Sequence, residues 1–167
     1  PVLTSSGNAE KQVTGAELSN IAANVLMKLL YGARVARWDL LRAVCTLAAR
    51  VAKWDASCDR TLHRLTSYVH STVDVVLEGR VGDKDADFQL ALHADADFAG
   101  GPDTNRSTSG VCLALQGRNT LFPLACMRKR QPRVSISTAE AELVVASEAV
   151  RLFGLPAQEL WAVVLRR

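Results

Sequence analysis

Two short acidic segments hold the residues of this chain best suited to chemistry. His93-Ala94-Asp95-Ala96-Asp97-Phe98-Ala99-Gly100 reads as the end of a strand bearing carboxylates. Ser135-Ile136-Ser137-Thr138-Ala139-Glu140-Ala141-Glu142-Leu143 reads as a capped helix start bearing carboxylates. Asp95 and Asp97 are two apart on a strand and so project to one face, opposite the apolar set Phe88, Leu90, Leu92, Ala94, Ala96 and Phe98. Brought together with a helix glutamate, they would make an all-oxygen site for a divalent cation, a common device for phosphodiester cleavage. Helical spacing separates the two glutamates. Glu142 falls on the stripe Ala139, Leu143, Ala146, Ala149, Val150 and Phe153, expected to pack on the sheet. Glu140 falls with Val144, Ser147 and Arg151, toward solvent. Glu142 is therefore the candidate ligand, since a carboxylate on a packing face is costly without a partner. A plainer reading stays open, in which Glu142 reaches water and only complements the helix dipole.

The elements that must position these residues fall into two parts. From Ala16 to Val51, apolar residues recur at three- and four-residue steps, with Gly32 a candidate break and Asp39 opening a second amphipathic run. A turn at Asp55-Ala56-Ser57 precedes a third helix expected from Cys58 to His70. The glycine-bearing, charged run Glu78–Asp85 marks a linker or exposed turn. Beyond it, Phe88–Ala94, Gly110–Leu115, and Leu121–Cys126 with Val134–Ile136 predict three strands of an antiparallel meander. A helix follows to about Leu152, interrupted at Gly154 and Pro156, then a last piece from Gln158 to Leu165. Residues 1–14 are polar and expected to be loose.

Composition narrows the classes. The 167 residues are 49% hydrophobic and 22% charged, which fits a folded chain and argues against disorder. A net charge of +3 permits a nucleic-acid partner without demanding one. Aromatics at 5% leave few stacking platforms for single-stranded bases. The four cysteines are scattered, with no Cys-x-x-Cys and no paired histidines, so zinc is not expected and reduced intracellular thiols are the default. No signal peptide and no uncharged apolar stretch of membrane-spanning length is visible. The first and last residues look like cuts through a longer polypeptide.

Four blocks, in order, resemble the ribonuclease H domain of copia-type (pseudoviral) LTR retrotransposon polyproteins. They are Asp95-Ala96-Asp97-Phe98-Ala99-Gly100, Asp103-Thr104-Asn105-Arg106-Ser107-Thr108-Ser109-Gly110, Lys129-Arg130-Gln131, and Ser137-Thr138-Ala139-Glu140-Ala141-Glu142 with Ala146 and Glu148 beyond. Upstream, Ala36-Arg37-Trp38-Asp39-Leu40-Leu41-Arg42-Ala43-Val44 is similar to the helix after the polymerase palm. Leu62–Thr72 is similar to the helix leading into ribonuclease H. The resemblance implies an α/β chain: a helical reverse-transcriptase connection or thumb-like segment over 1–77, a linker over 78–87, and over 88–167 a truncated ribonuclease H-like fold. It implies Asp95 and Glu142 as catalytic residues, and Asp95, Asp97 and Glu142 as ligands for magnesium, with manganese as a substitute. It also implies Arg106, Ser107, Lys129, Arg130 and Gln131 as nucleic-acid contacts, with Arg128 and Arg133 as further candidates for phosphate contact.

The partners it implies are an RNA–DNA hybrid or other nucleic acid and the rest of the polyprotein, with no membrane. The location it implies is cytoplasmic, in a virus-like particle, or nuclear, and not secreted. There are departures. Trp38 replaces a usual proline, Cys126 a usual tryptophan, and Met127 and Arg128 usual serines. A later metal-binding aspartate is missing, since Asp103 is the last one, and the polymerase aromatic-x-Asp-Asp signature is absent. Weak metal binding and little or no cleavage are therefore expected of this segment alone. The alternative is a non-catalytic nucleic-acid-binding or scaffold relic of such an element.

Overall fold

The computed structural model describes residues 16–84, 87–100 and 104–164. The expected loose start, residues 85–86 of the expected linker, residues 101–103 (the last of them in the second matching stretch), and residues 165–167 lie outside them. Three helices come first: α1 (Ser19–Val35), α2 (Leu41–Ala48) and α3 (Ala56–Ser71), with 3-10 turns at Trp38–Leu40 and Val51–Lys53. Gly32 does not break α1, which runs on three residues further; the amides of Ala36 and Arg37 then both donate to the Gly32 carbonyl. Ala22, Leu26 and Ala33 of α1, Val44 and Leu47 of α2, and Cys58, Leu62 and Leu65 of α3 form one core.

Asp55 caps α3 by accepting the Cys58 amide at 2.9 Å. The Ser57 hydroxyl and that amide hold its carboxyl far below the usual range. The Arg37-Trp38-Asp39 block has a structural task. Arg37 pairs with Asp39 at 2.8 Å and donates to the Thr72 carbonyl and hydroxyl, while the Tyr68 hydroxyl donates to Asp39. This clasp ties the α1–α2 corner to the end of α3. The hydrogen bond from Arg37 keeps the Asp39 carboxyl below its usual range.

The second part is a meander of β1 (Phe88–Asp97), β2 (Thr108–Gly117) and β3 (Leu121–Arg130), in the order β1-β2-β3, antiparallel throughout. The chain is thus α/β: helices and a three-stranded antiparallel sheet. β3 outruns its expected end at Cys126, because Met127 to Arg130 keep pairing with Val111 to Thr108. Residues 134–136 form no strand, and Ile136 is 92% exposed. Cross-strand pairing, not apolar character, sets the length of β3. The segment before β1 is pinned to the β2–β3 turn: Arg80 and Leu121 exchange two backbone hydrogen bonds, and Asp83 accepts from the Asn119 amide at 2.7 Å.

Helix α4 (Thr138–Ala149) crosses one face of the sheet. A π turn (Val150–Gly154) then leads into α5 (Leu155–Val164), so the chain stays helical past Gly154 and Pro156. The wider turn accommodates Pro156, which lacks an N–H. It also brings Gly154 so close to Leu92 that a Cβ would press on that side chain. Ring contact between Phe88 and Trp161, edge-on at 5.7 Å, holds α5 against the start of β1.

The buried stripe of α4 is Ala141, Val145 and Ala149, packed on Ala96 and Val111. This corrects the expected stripe, in which only Ala149 and Phe153 pack inward, while Leu143 is 71% exposed. Ser137 caps the helix by accepting the Glu140 amide at 3.1 Å, and Glu140 reaches back to the Ile136 amide at 2.7 Å. Glu140 is thus a capping residue. Ser137→Ala should cost about 1 kcal/mol in a urea titration, and Ser137→Asp should restore most of it.

Candidate functional site

Among the described residues β1 is an edge strand, so the backbone N–H groups of alternate residues point outward with no strand beside them. At its tip the Ala96 amide donates to Glu142 Oε1 at 3.3 Å, across 46 residues of sequence. The half-buried Glu142 of α4 is thereby fixed beside the residue that separates Asp95 from Asp97, both exposed. Helix and strand come this close because the side chains between them, Ala96, Ala141 and Val145, are small. Glu142 thus reaches the edge of β1 between Asp95 and Asp97, whose side chains point to the face of the sheet away from α4. Glu142→Ala should speed hydrogen exchange at the Ala96 amide, and Glu142→Gln should largely keep its protection.

Among the described residues, no group of three or more His, Cys, Asp or Glu side chains is placed to hold a metal ion. Asp97 lies over the turn at Gly100, where a Cβ would collide with its carboxylate. Glu142 is engaged by the Ala96 amide. Among the described residues, Asp95, Asp97 and Glu142 are thus not gathered into one group of ligands for magnesium or manganese.

On the other face of the sheet, β1, β2 and β3 meet α2 across a cleft of about 740 Å³. Asp95, Asp97 and His93 line one side, and Arg42, Arg128 and Trp38 the other. Two contacts hold this packing: the Arg128 guanidinium donates to the Arg42 carbonyl at 3.3 Å, and the Cys45 thiol to the Arg128 carbonyl at 3.5 Å. Arg42 and Trp38 were missed as site residues. Their approach depends on α2 docking beside β3, a contact between segments more than 80 residues apart, and no local pattern signals it.

The expected nucleic-acid contacts divide. Arg106 and Arg130 are exposed. Lys129, on the strand face opposite Arg128 and Arg130, approaches Glu148 of α4 at 3.6 Å. Ser107 and Gln131 are corrected: both are buried, at 0% and 2% exposure, and bind the protein itself. The Ser107 hydroxyl accepts the Ala99 amide, whose residue takes a left-handed φ of 51° at the turn after β1. Gln131 Nε2 donates to Ser109 Oγ and to the Ala141 carbonyl, while its Oε1 accepts from Ser135. The Lys129-Arg130-Gln131 block thus does three different things: it pairs, stays free, and braces.

No helix among the described residues is long and apolar enough to cross a membrane. No protein-family model matches the chain, and no solved structure matches it. Among curated proteins, one described as secreted RxLR effector protein 161, from Plasmopara viticola, is 32% identical over 124 residues. The match spans 74% of this chain and 82% of that protein. The expectation of a cytoplasmic or nuclear, non-secreted protein is overturned by this relative, which is named as secreted and points toward secretion.

Proposed function

The chain belongs to the family of that secreted RxLR effector protein, and from this premise and the site at the tip of β1 we propose that it is a nucleic-acid-binding module: the first part of a copia-type ribonuclease H-like domain that binds an RNA–DNA hybrid without cleaving it. One observation carries the reading: Glu142 of α4 sits on the Ala96 amide between two aspartates, at the end of a three-stranded antiparallel sheet. The Arg42 and Arg128 side of the cleft, with Arg106 and Arg130 exposed nearby in the fold, offers charge to phosphates. Hybrid recognition of this kind rests on helix shape and 2′-hydroxyls, which suits a chain with few aromatics. Hydrolysis would need ligands that these residues do not supply, so binding is its activity.

The family's effector name favours a second reading, in which the same surface serves as a scaffold outside the cell that makes it. A titration of fluorescent RNA–DNA hybrid, duplex DNA and duplex RNA at low salt, with each sample also run on a denaturing gel, separates the two. Preference for the hybrid with intact RNA supports the module. Equal, negligible binding of all three supports the scaffold, and RNA cut only when Asp95 and Glu142 are present would make it an enzyme.

A further inference from the structure

Across the floor of the cleft, the register places His93, Cys112 and Cys126 in one row over the three strands. We propose that Cys112 and Cys126 are a thiol–disulfide exchange site, which closes into a cross-strand disulfide when the chain meets a small-molecule disulfide. Directly opposed residues of antiparallel strands have Cα atoms about 4.5–5.5 Å apart. That separation lies within the range of about 4.4–6.8 Å that a disulfide spans without backbone movement. The two sulfurs already touch, at 2.6 Å. Both residues are partly exposed and line the cleft, so a small oxidant can reach them.

The two thiols are not equivalent. Either sulfur can donate in this contact, and sharing one proton across it holds the Cys112 thiol down while it pushes the Cys126 thiol up. We take Cys112, the sulfur that the contact holds down, as the attacking one, and the Cys126→Ser and Cys112→Ser chains test that order. The remaining cysteines are poorly placed: burial pushes the Cys45 thiol up, and Cys58 is wholly buried.

The exchange balances in two steps. The Cys112 thiolate attacks one sulfur of the external disulfide, whose S–S bond breaks and releases one thiolate with the electron pair. Cys126 loses its proton to water and attacks the Cys112 sulfur of the mixed disulfide, expelling the second thiolate. Two protein thiols are oxidised and one external disulfide is reduced to two thiols.

The test treats the full folded chain with oxidised glutathione, quenches with acid, alkylates what remains in denaturant, and maps peptides without reduction. The result expected is one Cys112–Cys126 cross-link, a mass loss of two hydrogens, and alkylated Cys45 and Cys58. Cys126→Ser should stall as a glutathione adduct on Cys112, and Cys112→Ser should leave Cys126 alkylated. Linkage through Cys45 or Cys58, alkylation of both Cys112 and Cys126 after oxidation, or no adduct on Cys112 in the Cys126→Ser chain would overturn the proposal.

Discussion

Gln131→Leu is expected to lower the unfolding free energy by about 3 kcal/mol, because it strands three buried polar groups at once. The lost amide donates to Ser109 Oγ at 3.2 Å and to the Ala141 carbonyl at 3.0 Å, and accepts from Ser135 at 3.2 Å. Each partner left unpaired away from water costs about 1–3 kcal/mol, against a total of about 5–15 kcal/mol for an ordinary domain. The effect reaches the acidic site, since Ala141 directly precedes Glu142. Gln131 fastens the end of β3 to the first turn of α4 and so sets where that glutamate falls. Urea unfolding should show a lower midpoint at unchanged slope. A shift below about 0.5 kcal/mol would mean that the amide is not the brace described.

The second large effect is on affinity. Arg106→Ala with Arg130→Ala removes two exposed cations, and the proposed module should then bind an RNA–DNA hybrid about tenfold or more weakly. The slope of log affinity against log salt should also fall by about two, one for each lost phosphate contact. Both residues are exposed, so the melting temperature should hardly move. Lys129→Ala should do less, since its ammonium already lies 3.6 Å from Glu148. An unchanged slope in the double variant would remove these arginines from the interface.

How much of this could be read from the residues depended on whether a signal was local. Capping at Ser137, the alternation of Phe88–Ala94 and the two-residue spacing of Asp95 and Asp97 are local, and the elements form where those signals lie, while the turn expected at Asp55-Ala56-Ser57 is a cap from which α3 starts two residues early. The packing face of α4 was misjudged because its most apolar residue, Leu143, faces outward. What selects Ala141, Val145 and Ala149 is the close approach of the helix to β1, and small size, not hydropathy, permits it. Gln131 and Ser107 are implied as nucleic-acid contacts by the resemblance alone, and nothing in either block marks them as buried. Their burial follows from β3 ending beneath α4. Arg42 joins the cleft only through α2 docking beside β3, which no pattern in either segment announces.

The cleft at the tip of β1 is tested most directly by following backbone amide shifts while a short RNA–DNA hybrid is added to the chain. The result expected is a concerted, saturable change at His93, Asp95, Asp97, Gly110 and Arg128, with Glu142 responding and Leu143, Val150 and Leu155 on the outer side of the helices silent. Shifts confined to that outer side, with the row from His93 to Asp97 unmoved at saturation, would contradict it.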